Sequence, residues 1–295
     1  MSWQSDELRN ADIRSGHDAT VAEEPIHAEV VHARYAPLAE RARTPILLFV
    51  ATCLTTYWVG GIAYAGPLMF TLLCHEFGHY LQARRYHVAA SLPYFIPMPY
   101  SPLGTMGAVI AMRGNMGNRK TLFDIGISGP LAGLVPALIF SVAGLQLSTV
   151  VPLQRGGGEL GEPLLFKFLA AWIFGPLPAG QTILLHPLAY AGWVGIFITA
   201  LNLIPISQLD GGHVLYALLR QKAHIVATVL LGTAIVAVVL TQNYQWLLML
   251  FLLVIIGPNH PPTGNDDMPL GTGRIVLGCL TLMFVIVGFT PTPFS

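Results

Sequence analysis

The chain has 295 residues, of which 54% are hydrophobic and only 10% are charged. A typical soluble domain is about 25% charged, so this composition excludes an ordinary soluble globule. The formal net charge of zero argues against nucleic acid as a partner, because nucleic-acid binding usually requires a basic face. The three cysteines lie in apolar runs and match neither a disulfide framework nor a zinc knuckle. The composition therefore predicts a membrane protein.

Residues 1–44 differ from the rest of the chain, because they hold eight acidic residues and five arginines. Such a composition is typical of a polar, disordered tail. The segment lacks the short basic start and the immediate apolar core of a cleaved signal peptide. We therefore expect a cytoplasmic tail over 1–44, followed by a first span that stays as an anchor.

Long stretches without charged residues follow this tail, as expected where an unpaired charge in hydrocarbon would be costly. Internal glycine, proline and amide residues divide several of them. The pattern predicts an all-α polytopic membrane protein with six to seven transmembrane helices, forming a core over 45–291 with a short C-terminal tail at 292–295. The predicted spans are 45–64, 67–86, 123–147, 186–206, 224–241, 244–257 and 274–291, with an interfacial or re-entrant helix at 164–176.

The distribution of lysine and arginine predicts the orientation. If the tail is cytoplasmic, the loops at 85–122, 207–223 and 258–273 are cytoplasmic as well. This arrangement places thirteen of the fifteen basic residues inside and leaves only Arg155 and Lys167 outside. We therefore expect an integral membrane protein with its N-terminus on the cytoplasmic side.

The second predicted span, 67–86, contains an HExxH pattern formed by His75, Glu76 and His79. Residues four apart share one face of a helix, so both imidazoles can bind one metal ion. Glu76 follows the first histidine and is placed to act as a general base toward water. The pattern also occurs by chance, and the alternative is a helix end with interfacial histidines. Ionisable groups in an apolar span are usually functional, which favours the metal site.

A catalytic zinc site needs a third protein ligand. Asp210 is a carboxylate that ends the uncharged run of the predicted segment 186–211, at a depth similar to that of His79. The two glycines after it suit a helix end that opens toward a ligand. The alternative is an ordinary cap for a helix that begins at Gly212. Together with the HExxH pattern, this position favours Asp210 as the third ligand.

These two motifs, HEFGH at 75–79 and NLIPISQLDG at 202–211, resemble the signatures of the site-2 protease family of intramembrane zinc metalloproteases. The resemblance covers roughly 45–290. The intervals between the motifs and around them are too short for a PDZ domain of typical size, so the chain resembles the branch without one, which includes bacterial and chloroplast members.

The resemblance implies one Zn²⁺ ion held by His75, His79 and Asp210, with Glu76 activating water. It implies that Asn202 holds the substrate backbone or the developing oxyanion. It also implies that the substrate is a membrane protein, typically with a single span, whose peptide bond is hydrolysed in or near the transmembrane segment as in regulated intramembrane proteolysis. The other partner is the lipid bilayer, and the sequence leaves the oligomeric state open. Together with the predicted orientation, the resemblance implies an integral protein of a bacterial cytoplasmic membrane, with the opening of its active site on the cytoplasmic side.

The region after the HExxH span is unsuited to a helix, because four prolines lie between 93 and 102. The following sequence TMGAVIAM, at 105–112, is typical of a short strand. We predict a membrane-associated β-hairpin between the catalytic helix and the next span, which pairs with an unwound substrate as an extended strand. The alternative is a plain cytoplasmic loop.

Several other residues support weaker interpretations. His213 either tunes the metal site or is a helix-start histidine. Asp124 is interpreted as a helix cap. Gly126, Gly129 and Gly133 let helices approach closely, and we interpret them as generic packing residues.

Two functions of other classes remain as alternatives to the protease. One is a polytopic transporter or metal carrier, which would need neither Glu76 beside a ligand pair nor the spacing between Asn202 and Asp210. The other is a catalytically silent membrane scaffold that binds helices. The complete set of predicted ligands makes the protease the leading hypothesis.

Overall fold

The computed structural model describes residues 38–113, 116–153 and 160–294, and this part of the chain is mainly helical. Most of the predicted tail, residues 1–37, lies outside it. The α-helices are α1 (Leu38–Gly60), α2 (Ile62–Arg85), α3 (Arg119–Gln146), α4 (Leu164–Phe174), α5 (Pro187–Asn202), α6 (Asp210–Leu219), α7 (Lys222–Thr241), α8 (Leu247–Ile256) and α9 (Thr272–Gly288). The strands are β1 (Ala89–Ala90), β2 (Tyr94–Met98), β3 (Gly104–Val109), β4 (Met112–Arg113), β5 (Thr149–Pro152) and β6 (Gln181–Leu184).

Apolar helices long enough to cross a membrane make up much of this fold. By length and composition they are α3, α7 and the Ala42–Gly60 part of α1. Four shorter apolar segments accompany them, namely α4, α5, α9 and Tyr244–Ile256. These findings confirm a mainly helical membrane protein with small sheets. The number of membrane crossings stays a prediction.

Two boundaries differ from the sequence-based expectation. The break after the first span lies at Gly61, which has a φ of 66°, so α2 begins at Ile62 and continues through Pro67. The predicted segment 186–211 is not continuous, because α5 ends at Asn202 and a turn at 203–209 precedes α6. That turn is itself apolar, so hydropathy did not reveal it.

The centre of the molecule is formed by α3, which packs along α2 on one side and α5 on the other. The shared core contains Tyr64, Leu68 and Trp193, all fully buried. Glycines make the close approach between α3 and α5 possible, since a Cβ added at Gly144 would lie 2.1 Å from the Ala189 nitrogen. The helix that carries the HExxH pattern lies along the longest helix of the described residues.

The predicted hairpin is present between α2 and α3. Strand β2 pairs antiparallel with β3, with Tyr94 opposite Val109 and Met98 opposite Gly104, and an irregularity between Phe95 and Pro97. Strands β1 and β4 continue the two arms beyond a short unpaired stretch. Pro93 precedes β2, Pro97 lies inside it next to the irregularity, and Pro99 and Pro102 lie in the turn. The region is a hairpin rather than a plain loop.

Candidate metal centre

Helix α2 presents His75 and His79 on one buried face, as their spacing predicts. Only 3% of His75 and 6% of His79 is exposed. A Cβ added at Gly129 of α3 would lie 2.1 Å from His79 Nε2, and one added at Gly133 would lie 2.9 Å from His75 Cβ. Helix α3 can therefore approach the two imidazoles only because these positions carry no side chain.

Asp210 reaches the same point from α6. The turn at 203–209 reverses the chain after α5, and a Cβ added at Gly211 would lie 1.9 Å from the Leu203 carbonyl oxygen, so backbone packs directly on backbone. Asp210 is the first residue of α6, and its carboxylate contacts both histidines. This orientation is the one expected of a metal ligand, and it differs from that of a cap for its own helix.

The three candidate ligands converge closely. His75 Nε2 lies 3.1 Å from Asp210 Oδ2, His79 Nε2 lies 3.2 Å from Asp210 Oδ1, and the two Nε2 atoms are 3.2 Å apart. Atoms bound to one tetrahedral zinc ion at about 2.0–2.1 Å lie about 3.3 Å from each other. Two imidazoles and one carboxylate are also ligands that zinc accepts, so the donor set fits this ion.

The hydrogen bond on the far side of His79 gives a second argument for a cation. His79 Nδ1 lies 2.8 Å from the Ile125 carbonyl oxygen, which can only accept, so Nδ1 carries the proton. In a neutral imidazole, Nε2 then has a lone pair, and this lone pair faces a carboxylate oxygen and another imidazole nitrogen. A cation held between these atoms would satisfy the His79 lone pair and the Asp210 carboxylate together. The Ile125 carbonyl would also fix the ring, as partners of metal-binding histidines commonly do.

Glu76 and Asn202 complete the candidate site. Glu76 is 3% exposed, and its carboxylate has no hydrogen-bond partner among the described residues. Asn202 stands at the end of α5, with Nδ2 3.3 Å from His75 Nε2. The structure therefore brings together all five residues that the sequence predicted.

His213 faces a neighbour that the sequence did not predict. Its Nδ1 lies 2.7 Å from His260 Nε2, and His260 Nδ1 lies 2.6 Å from the Pro261 carbonyl oxygen. Because that carbonyl only accepts, the protons are ordered and His213 Nδ1 donates to His260. His213 thus joins α6 to the loop between α8 and α9.

The same loop is fixed by a carboxylate outside the helices. Asp266 accepts hydrogen bonds from the Tyr216 and Thr263 hydroxyls at 2.6 and 2.7 Å. Burial alone would raise the pKa of Asp266, but these hydrogen bonds lower it below its ordinary value. At neutral pH the loop therefore docks against α6 with the Asp266 carboxylate ionised.

Two sequence-based interpretations need correction. Asp124 is not a helix cap: the cap of α3 is Asn118, whose side chain accepts from Thr121 N, and Asp124 instead forms two 2.8 Å hydrogen bonds with Arg274. Gly129 and Gly133 are more than generic packing residues, because they lie against the ligands themselves. The two glycines are four residues apart, as are the two histidines, and this equal spacing was the signal in the sequence that could have indicated the contact.

Comparison with known proteins agrees with this geometry. Residues 63–241 match peptidase family M50. The chain is 31% identical over 233 residues to the Arabidopsis thaliana protein named "Probable zinc metalloprotease EGY1, chloroplastic", covering 75% of this chain and 41% of that protein. It is 30% identical over 232 residues to the Oryza sativa subsp. japonica protein of the same name, covering 74% and 38%. The chain spans about two fifths of the length of these relatives.

The fold and the site together define a class, namely helical membrane proteins with a buried cluster of two histidines and one aspartate. Within that class, the chain belongs to peptidase family M50, the site-2 protease family. The family predicted from the two motifs is thereby confirmed. These plant relatives are named as chloroplastic, so they give no support to the expectation of a bacterial membrane.

Proposed function

We propose that the chain is an intramembrane zinc metallopeptidase, which hydrolyses a peptide bond in or near a transmembrane segment of a membrane protein. The observation that carries this proposal is the convergence of three lone-pair donors on a point beside Glu76, in an apolar helical protein. Membership of family M50 supports it as well.

In this proposal His75, His79 and Asp210 hold the zinc ion. When bound, zinc would supply Lewis acidity, which lowers the pKa of water to about 7 and polarises a carbonyl. Glu76 takes the proton of the attacking water, whose oxygen forms the new bond to the scissile carbon. The same carboxyl group then gives that proton to the leaving nitrogen as the C–N bond breaks. Asn202 Nδ2, at the edge of the ligand cluster, donates a hydrogen bond to the oxyanion.

The hairpin is the proposed binding surface for the substrate. A helical substrate hides its scissile bond, whereas an extended segment can pair with a free strand edge through its main chain. Among the described residues β2 and β3 pair only with each other, so each strand has one edge without a strand partner there. Ile96, Met106 and Val109 also present exposed apolar side chains there. We propose that a single-span protein is unwound locally and binds along this hairpin.

Replacement of Ala108 in β3 by proline tests this binding mode, because proline removes a donor and disturbs the strand. We expect loss of cleavage of transmembrane substrates with normal zinc content. Unchanged cleavage would show that strand pairing is wrong. The distribution of basic residues supports an active site that opens to the cytoplasmic side. A cysteine introduced at the exposed His87, just after the end of α2, tests this orientation through its accessibility to a membrane-impermeant reagent.

Glu76→Gln tests the reaction itself. The variant should retain one zinc ion per chain but lose cleavage, because glutamine cannot accept a proton. Comparative proteomics of membranes from cells with wild-type protein or the variant should show accumulation of a single-span protein. Glu162→Gln is a matched control, since Glu162 is exposed and far from the ligands in sequence. If both variants give the same membrane proteome as wild type, the transporter or scaffold alternative gains.

A further inference from the structure

The turn of the hairpin is held by hydroxyl groups from three different helices. Tyr190 of α5 donates to the Pro102 carbonyl at 3.0 Å, and Tyr64 of α2 donates to the Leu103 carbonyl at 2.7 Å. Thr55 of α1 donates to the Gly104 carbonyl at 2.6 Å. Three consecutive carbonyls thus each accept one side-chain hydrogen bond. We call Thr55, Tyr64 and Tyr190 the hydroxyl clamp.

The clamp provides hydrogen bonds to three backbone carbonyls, which would be costly to leave unpaired at membrane depth. Irregular backbone is tolerated there only where protein or water accepts or donates its hydrogen bonds. Gly104 also lies directly against α1, because its φ is 74° and an added Cβ would lie 2.8 Å from Thr56 Cα. The turn is therefore seated between helices, and its position depends on side chains rather than on strand pairing alone.

The distance between clamp and helix end shows how far the hairpin extends. From Tyr64 to Arg85, α2 rises about 32 Å at 1.5 Å per residue. The arm from Ala89 to Met98 can cover up to about 30 Å at 3.3 Å per residue. The arm leaves the end of α2 at Arg85 and its turn returns to Tyr64, so hairpin and catalytic helix run side by side over about the thickness of a bilayer core.

The metal ligands lie about midway along this length. His75 is eleven residues after Tyr64, or about 16 Å along α2, and five strand residues cover about the same distance. This places β2 and β3 level with the ligand cluster. Phe95 of β2 supports the placement, because its ring lies 5.2 Å from that of Phe49, which is eleven residues before the end of α1 at Gly60 and thus at a similar distance from the junction of α1 and α2 as His75. A shift of the turn by one residue would therefore move the strand edge by about 3 Å relative to the site.

We propose that the hydroxyl clamp sets the depth and register of the substrate-pairing edge relative to the metal centre. Thr55, Tyr64 and Tyr190 are then positioning residues, which select the bond that is cleaved in a transmembrane substrate. This inference rests on the proposed function and on strand pairing with the hairpin. Stacking of Tyr64 on Tyr190, with centroids 5.0 Å apart, holds the two phenols together, and phenylalanine would preserve it.

The test uses the purified full chain and the combined variant Thr55→Val, Tyr64→Phe, Tyr190→Phe. One probe is a reporter with a single leucine–alanine transmembrane helix that contains a central Gly-Pro pair, and the other is unfolded casein. We expect cleavage of the reporter to fall at least tenfold, mainly through KM, and its cleavage site to spread to neighbouring bonds. Zinc content should change less than twofold. Casein has no transmembrane segment whose depth the hairpin must match, so its cleavage should fall less than that of the reporter. Tyr57→Phe is the matched control, since Tyr57 of α1 is 58% exposed.

Two outcomes would overturn the clamp. One is equal loss on both probes, which would indicate only structural damage, and the other is unchanged cleavage of the reporter at the same bond. If Glu76→Gln abolishes cleavage while the clamp variant cleaves normally, the proposed function survives and the clamp does not. Hydrogen exchange of the hairpin tests the clamp without any cleavage. Unchanged exchange of 94–109 in the clamp variant would contradict the clamp. This result would be informative even if wild-type protein cleaved neither probe and the proposed function failed.

Discussion

Helices α3 and α7 are both long and apolar, but they face different surroundings. In the most apolar 18-residue stretch of each helix, the buried share is 50% in α3 and 22% in α7. The more buried helix is the less apolar one, with a mean hydropathy of 1.9 against 2.4. Helix α3 approaches the ligand cluster through glycines and a carbonyl, whereas α7 exposes large apolar side chains along most of its length.

This difference shows that the hydropathy of a membrane helix reflects its lipid-facing surface, whereas the residues that serve the site lie on its packed surface. A helix that faces lipid gains from large apolar side chains, because hydrocarbon surrounds it. A helix in the centre needs small residues for close packing and free polar groups for the site. The three predictions below test this contrast, beginning with the largest expected effect.

Replacement of Gly129 of α3 by alanine should abolish most activity, while Gly232→Ala in α7 should not. The new Cβ at 129 would lie 2.1 Å from His79 Nε2, whereas nothing lies within 4 Å of one at 232. A misplacement of a catalytic group by about 1 Å costs about 100-fold in rate, so we expect at least that loss together with weaker zinc binding. Gly232→Ala should be neutral or stabilise α7 by up to about 1 kcal/mol. Measured zinc content and cleavage rates that are equal for the two variants would contradict the contrast.

The ligand cluster was predictable because its signal is local. A spacing of four residues places His75 and His79 on one helix face in any helix, and Asp210 was an isolated carboxylate in an apolar segment. The hairpin was predictable for a similar reason, since its prolines exclude a helix and a short apolar strand follows them. These features need no knowledge of the tertiary structure.

Other features depend on long-range packing that the sequence does not display. The Ile125 carbonyl that holds His79 is a backbone group, which every residue offers. The turn at 203–209 is as apolar as the helix before it. Of the four glycine and proline residues between 60 and 67, only Gly61 adopts a positive φ and ends α1, because Pro67 can be accommodated inside a helix of a packed bundle.

Arg274→Met should destabilise the centre of the molecule more than Arg220→Met destabilises its edge. Arg274 forms two 2.8 Å hydrogen bonds with Asp124 of α3, whose side chain is 14% exposed. Loss of such a charge-assisted pair costs about 1–3 kcal/mol. Arg220 precedes α7 and pairs with Asp267, which is 92% exposed, and pairs of that kind contribute about 0–1 kcal/mol. Thermal unfolding in detergent should therefore show a lower Tm for the first variant only. An equal decrease would mean that burial does not distinguish the two regions.

The smallest expected effect is a pH dependence of the loop at 258–271, which links the two regions. His260 of this loop lies against His213 of α6, and the His260 carbonyl accepts a hydrogen bond from His224 of α7. Burial lowers the pKa of His260, and the neighbouring His224 lowers it further, although a hydrogen bond to the Pro261 carbonyl acts in the opposite direction.

The undocked loop would therefore bind a proton at a higher pH than the docked loop. Docking should be fully stable above the ordinary histidine value of about 6.5 and weaken as the pH falls below it, by no more than about 1.4 kcal/mol per pH unit. Hydrogen exchange of 258–271 should thus be faster at about pH 5.5 than at about pH 7.5 after correction for the intrinsic rate. His260→Asn should remove this difference, because asparagine does not titrate. Persistence of the same pH dependence in that variant would assign it to His213 or Asp266 instead, and the titration of His260 would then have no part in joining α6 and α7.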